Sequence, residues 1–340
     1  MTALTTRTTA LVTPSPEPEA PPVTGLADWT DLAGLTGLPA MPRLTTTVPR
    51  EYVHRACHAE VFLTGCEKLG DDRFALTGEW PRMHSFFTSA DGRHHDALQA
   101  AETIRQTGLF LAHAEFDVPL GHHFLLSELY LTTFAENMVI GRGPSELSLT
   151  ATCSDVVRRG RRLAGFEMAI TIERGGRSCA VGGGRFTCIS EGTYRRLRGT
   201  ATTARLYTRT RPRHTLPAAA VGKSAPADVV LATGDRPGHW LLDPDPRHAI
   251  LFDHAGDHYP GMVLLEAAWQ AATALGGPKG FAPSSVHAQF RQYAEFASPV
   301  WIEATHCGES TGGSSIRITG VQQEYTVFTA TVSGTPDAPN

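Results

Sequence analysis

Three polar residues at helical spacing form the first group in the sequence that could do chemistry. Glu102, Arg105 and Gln106 occupy positions i, i+3 and i+4, so they project from one face of a helix. Burial would raise the pKa of this carboxyl and make it a general base, whereas Arg105 would lower that pKa. An ordinary surface pair of Glu and Arg is the alternative. The apolar neighbours Ile104 and Phe110 favour a buried helix, and hence a catalytic role for all three residues.

A second group lies in the segment DHAGDHYPGM, residues 253–262. Pro260 suits the first turn of a helix, and Gly261 would let a ligand approach the backbone N–H groups at the positive end of the helix dipole. Such donors stabilise the negative charge that develops on a carbonyl oxygen. The helix start at Gly261, or the one at Ala97, is therefore a candidate oxyanion site.

Histidine pairs near both groups raise the question of a metal site. The pairs are His94 with His95 and His254 with His258. No third ligand has a convincing spacing, and hydrogen bonding within the loops explains each pair. We therefore predict no metal and no cofactor.

Two long helices must position these groups. The first is predicted over residues 97–113, with Asp96 as N-cap and Gly108 as its weak point, and the second over residues 260–275. Apolar alternation predicts strands around each helix. These strands are 58–64, 73–80, 123–133, 145–156, 163–173 and 178–190 in the first half, and 227–233, 239–242, 249–253, 286–296, 298–307, 314–320 and 324–334 in the second.

The order of elements in the first half recurs in the second half. Superposition of the sequence on itself at one fixed offset aligns His94 with His258, Glu102 with Glu266, Gln106 with Gln270, and His123 with His287. Most of these matches lie in or near the long helices, so we interpret the chain as two copies of one unit. Glu266 is accordingly a second candidate for catalysis.

A unit with one apolar helix buries its core when an antiparallel sheet curves around that helix. This is the hot-dog arrangement. We predict an α+β protein with two tandem hot-dog units that pair through their edge strands as a pseudo-dimer. The predicted boundaries are a disordered tail at 1–45, a first hot-dog domain at 46–193, a solvated Arg-, Pro- and Thr-rich linker at 194–226, and a second hot-dog domain at 227–335.

The composition argues against several classes of protein. The net charge of −4 and the lack of a helix-turn-helix pattern argue against a nucleic-acid partner. The six cysteines have no CxxC spacing, which fits a reducing compartment. No apolar run reaches about 18 residues, and the N-terminus has no secretory h-region. We therefore predict a cytoplasmic protein without a membrane partner.

Four segments resemble the A-factor biosynthesis (AfsA-like) family, the tandem hot-dog butenolide synthases of actinomycete gamma-butyrolactone signalling. They are WPRMHSFF at 80–87, DGRHHDALQAAETIRQTGLFLAH at 91–113, VPLGHHFLL at 118–126, and FDHAGDHYPGMVLLEAAWQAA at 252–272. The resemblance implies an acyltransferase that moves a beta-ketoacyl group from an acyl carrier protein to the hydroxyl of dihydroxyacetone phosphate. Closure of the ester to a phosphorylated butenolide then begins the synthesis of a signal that controls antibiotic production.

The resemblance also implies which residues act. The glutamate of the family's AETxRQ motif is Glu102 here, but Trp269 stands where the family's EAARQ motif has an arginine. One explanation is that another group stabilises the phosphate or the oxyanion. The other is that this protein uses a different acceptor or a different acyl chain from the rest of the family. Arg105 shares a helix face with Glu102 and is the preferred phosphate ligand. Trp269, Met262 and Phe290 are candidates for an acyl slot. The candidates for substrate binding are Arg82, His94, His95, His123, His258, Gly261, Trp269 and Arg291.

Two other functions remain open from the sequence. A hot-dog thioesterase or dehydratase would act on an acyl thioester without an acceptor. A non-catalytic regulatory protein would bind an acyl chain or lactone without turnover, and the loss of the arginine at Trp269 makes this hypothesis less remote. A tandem repeat is compatible with either a monomeric pseudo-dimer or a homodimer.

Overall fold

Two successive copies of one folding pattern make up the computed structural model, which describes residues 46–199, 214–254, 256–277, 281–310 and 313–335. In these residues the α-helices are Ala97–Ala114 (α1), Glu191–Arg198 (α2) and Gly261–Gly276 (α3). The strands are Leu63–Lys68 (β1), Arg73–Trp80 (β2), His123–Thr133 (β3), Ser145–Arg159 (β4), Arg162–Arg174 (β5), Arg177–Ile189 (β6), Leu231–Thr233 (β7), His239–Leu242 (β8), Ala282–Phe290 (β9), Trp301–Ser310 (β10), Gly313–Gln322 (β11) and Tyr325–Thr335 (β12).

These strands form one antiparallel sheet in the order β1-β2-β4-β5-β6-β3-β9-β12-β11-β10-β8-β7. Each half contributes six strands in the same relative order, and the halves meet where β3 pairs with β9. At this seam Glu128 lies opposite Gln289, and Thr132 lies opposite Ser285. The prediction of two tandem hot-dog units joined through their edge strands is confirmed.

Helix α1 is buried along most of its length because it packs on the sheet of its own half. Its first turn is closed by Asp96, whose Oδ1 accepts a hydrogen bond from the backbone N of Leu98 at 2.9 Å. Gly108 gives room to the ring of Phe186, since a Cβ at this position would lie 2.2 Å from Cζ of that ring. The residue that weakens the helix in isolation is thus required for its packing.

The strand predicted at residues 58–64 is wrong over its first half, where a short 3-10 turn is found and β1 starts only at Leu63. Gln106 from α1 explains the difference. Its Nε2 donates to the carbonyl of Glu60 at 2.7 Å, and its Oε1 accepts from the backbone N of Phe62 at 2.9 Å. A helix side chain has therefore taken backbone groups that a strand would have used.

The strand predicted at residues 249–253 is also wrong, because these residues form turns. Nδ1 of His248 accepts hydrogen bonds from the backbone N of Ile250 at 3.3 Å and of Leu251 at 3.1 Å. Here an imidazole binds the backbone N–H groups that would otherwise donate to a neighbouring strand. Among the other strands, β7 starts four residues later than predicted, and β9 lies at 282–290 instead of 286–296.

The segment predicted as a solvated linker, 194–226, begins inside α2. Arg195 and Arg196 are exposed, but Arg198 is buried and pairs with carboxylates of the second half. Lys223, near the other end of the segment, is buried as well. The solvated interpretation therefore does not hold for these two cations. The predicted tail at 1–45 and residues 200–213 lie outside the described residues.

Candidate active site

Helix α1 directs Glu102 into a buried cluster of donors. Its Oε1 accepts hydrogen bonds from Arg55 Nε at 2.9 Å, Arg105 Nη2 at 2.8 Å and Gln106 Nε2 at 2.8 Å. Its Oε2 accepts from Arg105 Nε at 2.9 Å. The structure thus brings the three residues of the first motif together, and it adds Arg55 to them.

These donors decide the protonation state of Glu102. Burial alone would raise the pKa of its carboxyl, but the guanidiniums of Arg105 and Arg55 outweigh burial and lower the pKa to about 2. An anion that accepts several charged hydrogen bonds has little affinity left for a proton. The contacts therefore favour Glu102 as an anchor for two arginines over its predicted role as a general base.

Arg55 joins the two halves of the chain at this cluster. Its Nη1 donates to the carbonyl of Ile250 at 3.0 Å and lies 4.0 Å from Oδ2 of Asp253. Asp253 in turn accepts hydrogen bonds from the backbone N of Ala56 at 2.6 Å and of Cys57 at 3.3 Å. A cation of the first repeat is thereby fixed to the loop that precedes α3.

A cavity of about 930 Å³ lies beside the cluster, and its volume is that of an ordinary ligand site. The wall from the first half includes the side chains of Arg55, Arg105 and Leu109. The wall from the second half includes His254, His258, Pro260, Gly261 and Met262. Both repeats therefore contribute to one site.

Arg105 is the guanidinium of the cluster that can donate to a ligand. Its Nε and Nη2 bind Glu102, and Nη2 also donates to the carbonyl of Val53 at 3.1 Å. Within the described part of the chain, its Nη1 makes no hydrogen bond. Its side chain is 18% exposed, against 5% for Arg55. Arg105 therefore suits an anionic group in the cavity better than Arg55 does.

Helix α3 begins at the cavity with its first turn open. Pro260 occupies the N-cap position and provides no side-chain cap, and Gly261 is exposed. The start of α1 is different, because Asp96 caps it. Backbone N–H groups near Gly261 can thus donate to a carbonyl oxygen in the cavity, whereas the alternative site at Ala97 is closed by its cap.

Apolar side chains form another part of the cavity wall, and they include two of the predicted acyl-slot residues, Met262 and Phe290. Trp269, the third, is not among the lining residues. It is 9% exposed and packs in the hydrophobic core. The structure therefore places Trp269 in the core and leaves Met262 and Phe290 in contact with the cavity.

The remaining candidates fall into two sets. His123, His258 and Arg291 line the cavity. Arg82 and His94 do not, and Arg82 lies at a separate surface hollow. The buried His95 does not line it either.

His95 is held inside the first half. It hydrogen-bonds to Gln99 at 3.1 Å and to Ser145 at 2.9 Å, and burial lowers its pKa to about 4. These contacts give it a structural role.

A second cluster around Glu266 repeats the first with different cations. Gln270 Nε2 donates to Glu266 at 2.7 Å, as Gln106 does to Glu102. Lys223 takes the place of Arg55, with Nζ 3.0 Å from Glu266 and 3.1 Å from Asp96.

The ammonium of Lys223 is fixed in this second cluster. Burial alone would lower its pKa, but the carboxylates of Asp96 and Glu266 outweigh burial and raise it. Trp269 occupies the position equivalent to Arg105 when the two repeats are superposed. At this position the second cluster therefore has an indole in place of a guanidinium.

In the described ranges, no group of three or more His, Cys, Asp or Glu side chains is arranged to hold a metal ion. None of the helices in this part of the chain is long and apolar enough to cross a membrane. The polar groups around the cavity include arginines, histidines and the open helix start at Gly261.

Comparison with known proteins decides the family. The sequence model of AfsA, the A-factor biosynthesis hotdog domain, matches residues 38–190 and again residues 207–336. The chain belongs to this family. Its two matched segments agree with the two halves of the sheet.

Curated relatives in the family cover most of this chain. A 2-oxo-3-(phosphooxy)propyl 3-oxoalkanoate synthase from Streptomyces virginiae is 45% identical over 291 residues, which are 85% of this chain and 98% of that protein. A synthase of the same name from Streptomyces coelicolor is 38% identical over 84% of this chain and 91% of that protein. Among solved structures, an acyl-ACP thioesterase from Bacteroides thetaiotaomicron is 10% identical, with a TM-score of 0.47 over 76% of this chain and 96% of that chain.

Proposed function

We propose that this family member is an acyltransferase that joins a beta-ketoacyl thioester to dihydroxyacetone phosphate in the synthesis of a gamma-butyrolactone or butenolide signal. The name of its Streptomyces relatives describes the ester of a 3-oxoalkanoic acid with this phosphorylated acceptor. The observation that carries the proposal is the cavity, where an available guanidinium edge, an uncapped helix start and an apolar wall meet.

Each part of this cavity matches one part of the substrates. Arg105 is assigned to the phosphate, the backbone N–H groups near Gly261 to the oxyanion, and the wall around Met262 to the acyl chain. Glu102 and Gln106 are assigned to positioning, because their contacts hold the arginine. His123 and Arg291 remain candidates for substrate contacts at the cavity, and Glu266 is assigned to the scaffold of the other half.

The reaction forms one bond and breaks another at the thioester carbonyl. The acceptor oxygen loses its proton and bonds to the carbonyl carbon, and the resulting oxyanion is stabilised by the start of α3. Collapse of this intermediate restores the C=O bond, breaks the C–S bond and releases the carrier as a thiol. Intramolecular condensation of the ester, with loss of water, then gives the phosphorylated butenolide.

The identity of the thioester carrier and the cellular setting are part of the proposal. The acyl donor is taken to be an acyl carrier protein, and the site of action the cytoplasm. The domain limits 46–193 and 227–335 are retained as working boundaries. Whether the pseudo-dimer acts as a monomer or pairs into a homodimer is tested by measuring its mass in solution.

The proposal is tested by the dependence of thiol release on the acceptor. Purified protein is incubated with a beta-ketoacyl carrier-protein thioester in three parallel reactions. One contains dihydroxyacetone phosphate, one contains unphosphorylated dihydroxyacetone, and one contains no acceptor. Thiol is measured by colorimetry, and products by mass spectrometry. We expect a phosphorylated ester or butenolide only with the phosphorylated acceptor. Equal thiol release without any acceptor would identify a thioesterase, and binding without release would identify a regulatory protein.

Arg105→Ala tests the phosphate assignment within the same assay. Loss of a charge-assisted hydrogen bond of about 1.5–3 kcal/mol corresponds to a rise in KM for dihydroxyacetone phosphate of about 10- to 150-fold. Arg142→Ala, at an exposed arginine, is the matched control and should leave KM unchanged. Unchanged KM in folded Arg105→Ala would remove the assignment.

A further inference from the structure

The loop before α3 contains a carboxylate and an imidazole in direct contact. Oδ1 of Asp257 lies 2.6 Å from Nδ1 of His258 and accepts from the hydroxyl of Tyr194 at 2.7 Å. Its Oδ2 accepts from Nε of Arg198 at 3.2 Å. Burial alone would raise the pKa of Asp257, but the hydrogen bonds from these three residues outweigh burial and hold the pKa well below its usual range. Asp257 is therefore an anion with a fixed orientation.

The anion determines which nitrogen of His258 is available. Asp257 accepts from Nδ1–H, and so the lone pair of the neutral ring is on Nε2. In the described chain Nε2 has no hydrogen-bond partner. The side chain is 29% exposed and lines the cavity. His258 is also three residues before Gly261, where the oxyanion is expected to lie.

The backbone around His258 is held in place on both sides. The N of Tyr259 donates to the carbonyl of Ala294 at 2.8 Å, and Arg198 Nη2 donates to the carbonyl of Asp257 at 3.3 Å. An imidazole on such a loop keeps a defined position relative to the start of α3. Defined position is what a proton acceptor needs in order to act on a bound hydroxyl.

The ring of Tyr293 supports a ligand position next to His258. The two rings contact edge to face, with their centroids 4.6 Å apart, and both line the cavity. The Tyr293 hydroxyl is buried and has no hydrogen-bond partner among the described residues. A buried hydroxyl of this kind is satisfied when a polar ligand binds beside it.

Three other histidines line the cavity, and their contacts suit proton acceptance less well. Nε2 of His54 lies 2.9 Å from His113, and burial lowers the pKa of His54 to about 3. His254 lies 3.8 Å from its carboxylate and is 56% exposed. His123 pairs with Glu191, whose side chain is itself 46% exposed. His258 has a close carboxylate that is itself held by further donors.

We infer that His258 is the general base of acyl transfer and that Asp257 is its positioning residue. The inference rests on the proposed function and deepens it. Nε2 of His258 takes the proton from the acceptor hydroxyl while the oxygen bonds to the thioester carbonyl carbon. When the C–S bond breaks, the imidazolium returns that proton to the departing sulfur, and the neutral ring is regenerated.

The test compares purified full-length wild type, His258→Ala, Asp257→Asn and the control His287→Ala. His287 also pairs with a carboxylate, Glu128 at 2.5 Å, but it lies outside the cavity. Each protein is assayed with a beta-ketoacyl N-acetylcysteamine thioester and dihydroxyacetone phosphate, with and without added imidazole. Thermal unfolding establishes that each variant is folded.

We expect His258→Ala to lower kcat by about 10²- to 10⁴-fold, the usual contribution of a general base, with KM for the acceptor changed less than about threefold. Added imidazole should raise the kcat of His258→Ala at least about tenfold. Asp257→Asn should also lower kcat, because an amide donor would favour the tautomer with the proton on Nε2, and imidazole should not rescue it. His287→Ala should keep the wild-type kcat.

The outcomes separate the two proposals. Wild-type protein that forms no acceptor-dependent product refutes the proposed function. An active wild type combined with undiminished kcat in folded His258→Ala refutes the base assignment alone. A loss in His258→Ala that imidazole does not relieve also overturns the assignment, since a structural defect would behave in this way.

Discussion

Replacing Glu102 by Gln tests the idea that this carboxylate anchors two arginines. The substitution keeps the shape of the side chain and removes its charge. A carboxyl whose pKa is about 2 in the folded chain and 4.5 ordinarily stabilises the fold by about 3 kcal/mol at neutral pH. We therefore expect Glu102→Gln to lower the free energy of unfolding at pH 7 by about 3 kcal/mol, and the melting temperature by about 4–5 °C, because a chain of this size has a large entropy of unfolding.

The pH dependence of this loss has a definite sign. Because the pKa of Glu102 is lowered by folding, its contribution is fully present above pH 4.5 and disappears as the pH falls through about 2. At pH 3 the difference between wild type and variant should shrink to about half. Differential scanning calorimetry at both pH values measures it. Glu146→Gln, at an exposed position on β4, is the control and should change neither melting temperature.

Two results would refute this reasoning. A melting temperature within about 1 °C of wild type at pH 7 would show that the charge of Glu102 contributes nothing to the fold. An equal loss at pH 7 and pH 3 would show that packing, not ionisation, is responsible. The Glu102→Gln variant should also have a raised KM for dihydroxyacetone phosphate, because Arg105 loses the charged group that anchors it.

Three further predictions concern other parts of the molecule. Lys223→Met should lower the free energy of unfolding by about 3–5 kcal/mol, since it leaves Asp96 and Glu266 without their buried cation; a thermal melt like that of wild type would contradict it. Trp269→Ala should cost about 3–5 kcal/mol and leave KM unchanged, and a raised KM with normal stability would place the ring in the active site after all. At pH 8 an aromatic disulfide reagent should react rapidly with two of the six thiols, because burial raises the pKa of the other four to about 11–12. The fast pair should be the exposed Cys57 and Cys307, and rapid reaction of all six in the folded protein would contradict the burial.

Much of the fold could be predicted because local pattern and packing agree along most of the chain. Alternation gave β2 and β3 with their observed bounds, and the N-cap at Asp96 marked the start of α1. The fixed offset between matching residues indicated the repeat of one unit, whereas the pairing of the two units at β3 and β9 is seen only in the structure. The failures at 58–64 and 249–253 have a common cause, since in both places a distant or neighbouring side chain binds backbone groups that local pattern assigns to a sheet.

The site was harder to predict because its key contacts cross between repeats. Arg55 was missed because it precedes the first strand and has no periodic position. The offset that superposes Glu102 on Glu266 places Arg55 on Ala219, so its counterpart Lys223 is not aligned with it. A superposition that allows a short gap would have found the cation of each cluster.

Two further residues were overlooked although the fixed offset does align them. His84 falls on His248, and both imidazoles accept hydrogen bonds from backbone N–H groups just after them in the chain. These two histidines stabilise the turns before each long helix, and hydrophobic periodicity does not reveal polar residues of this kind. Matching polar residues outside the helices would therefore have been the way to predict these turns.

The seam between β3 and β9 has a consequence for how the protein can evolve. In an assembly of two identical subunits every substitution appears twice, so a change that improves one copy of a cluster alters the other copy as well. Here both halves of the seam belong to one chain. A mutation at Arg105 leaves Trp269 unchanged, and selection can therefore act on the cluster around Glu102 while the equivalent position in the other half contributes to the stability of the core.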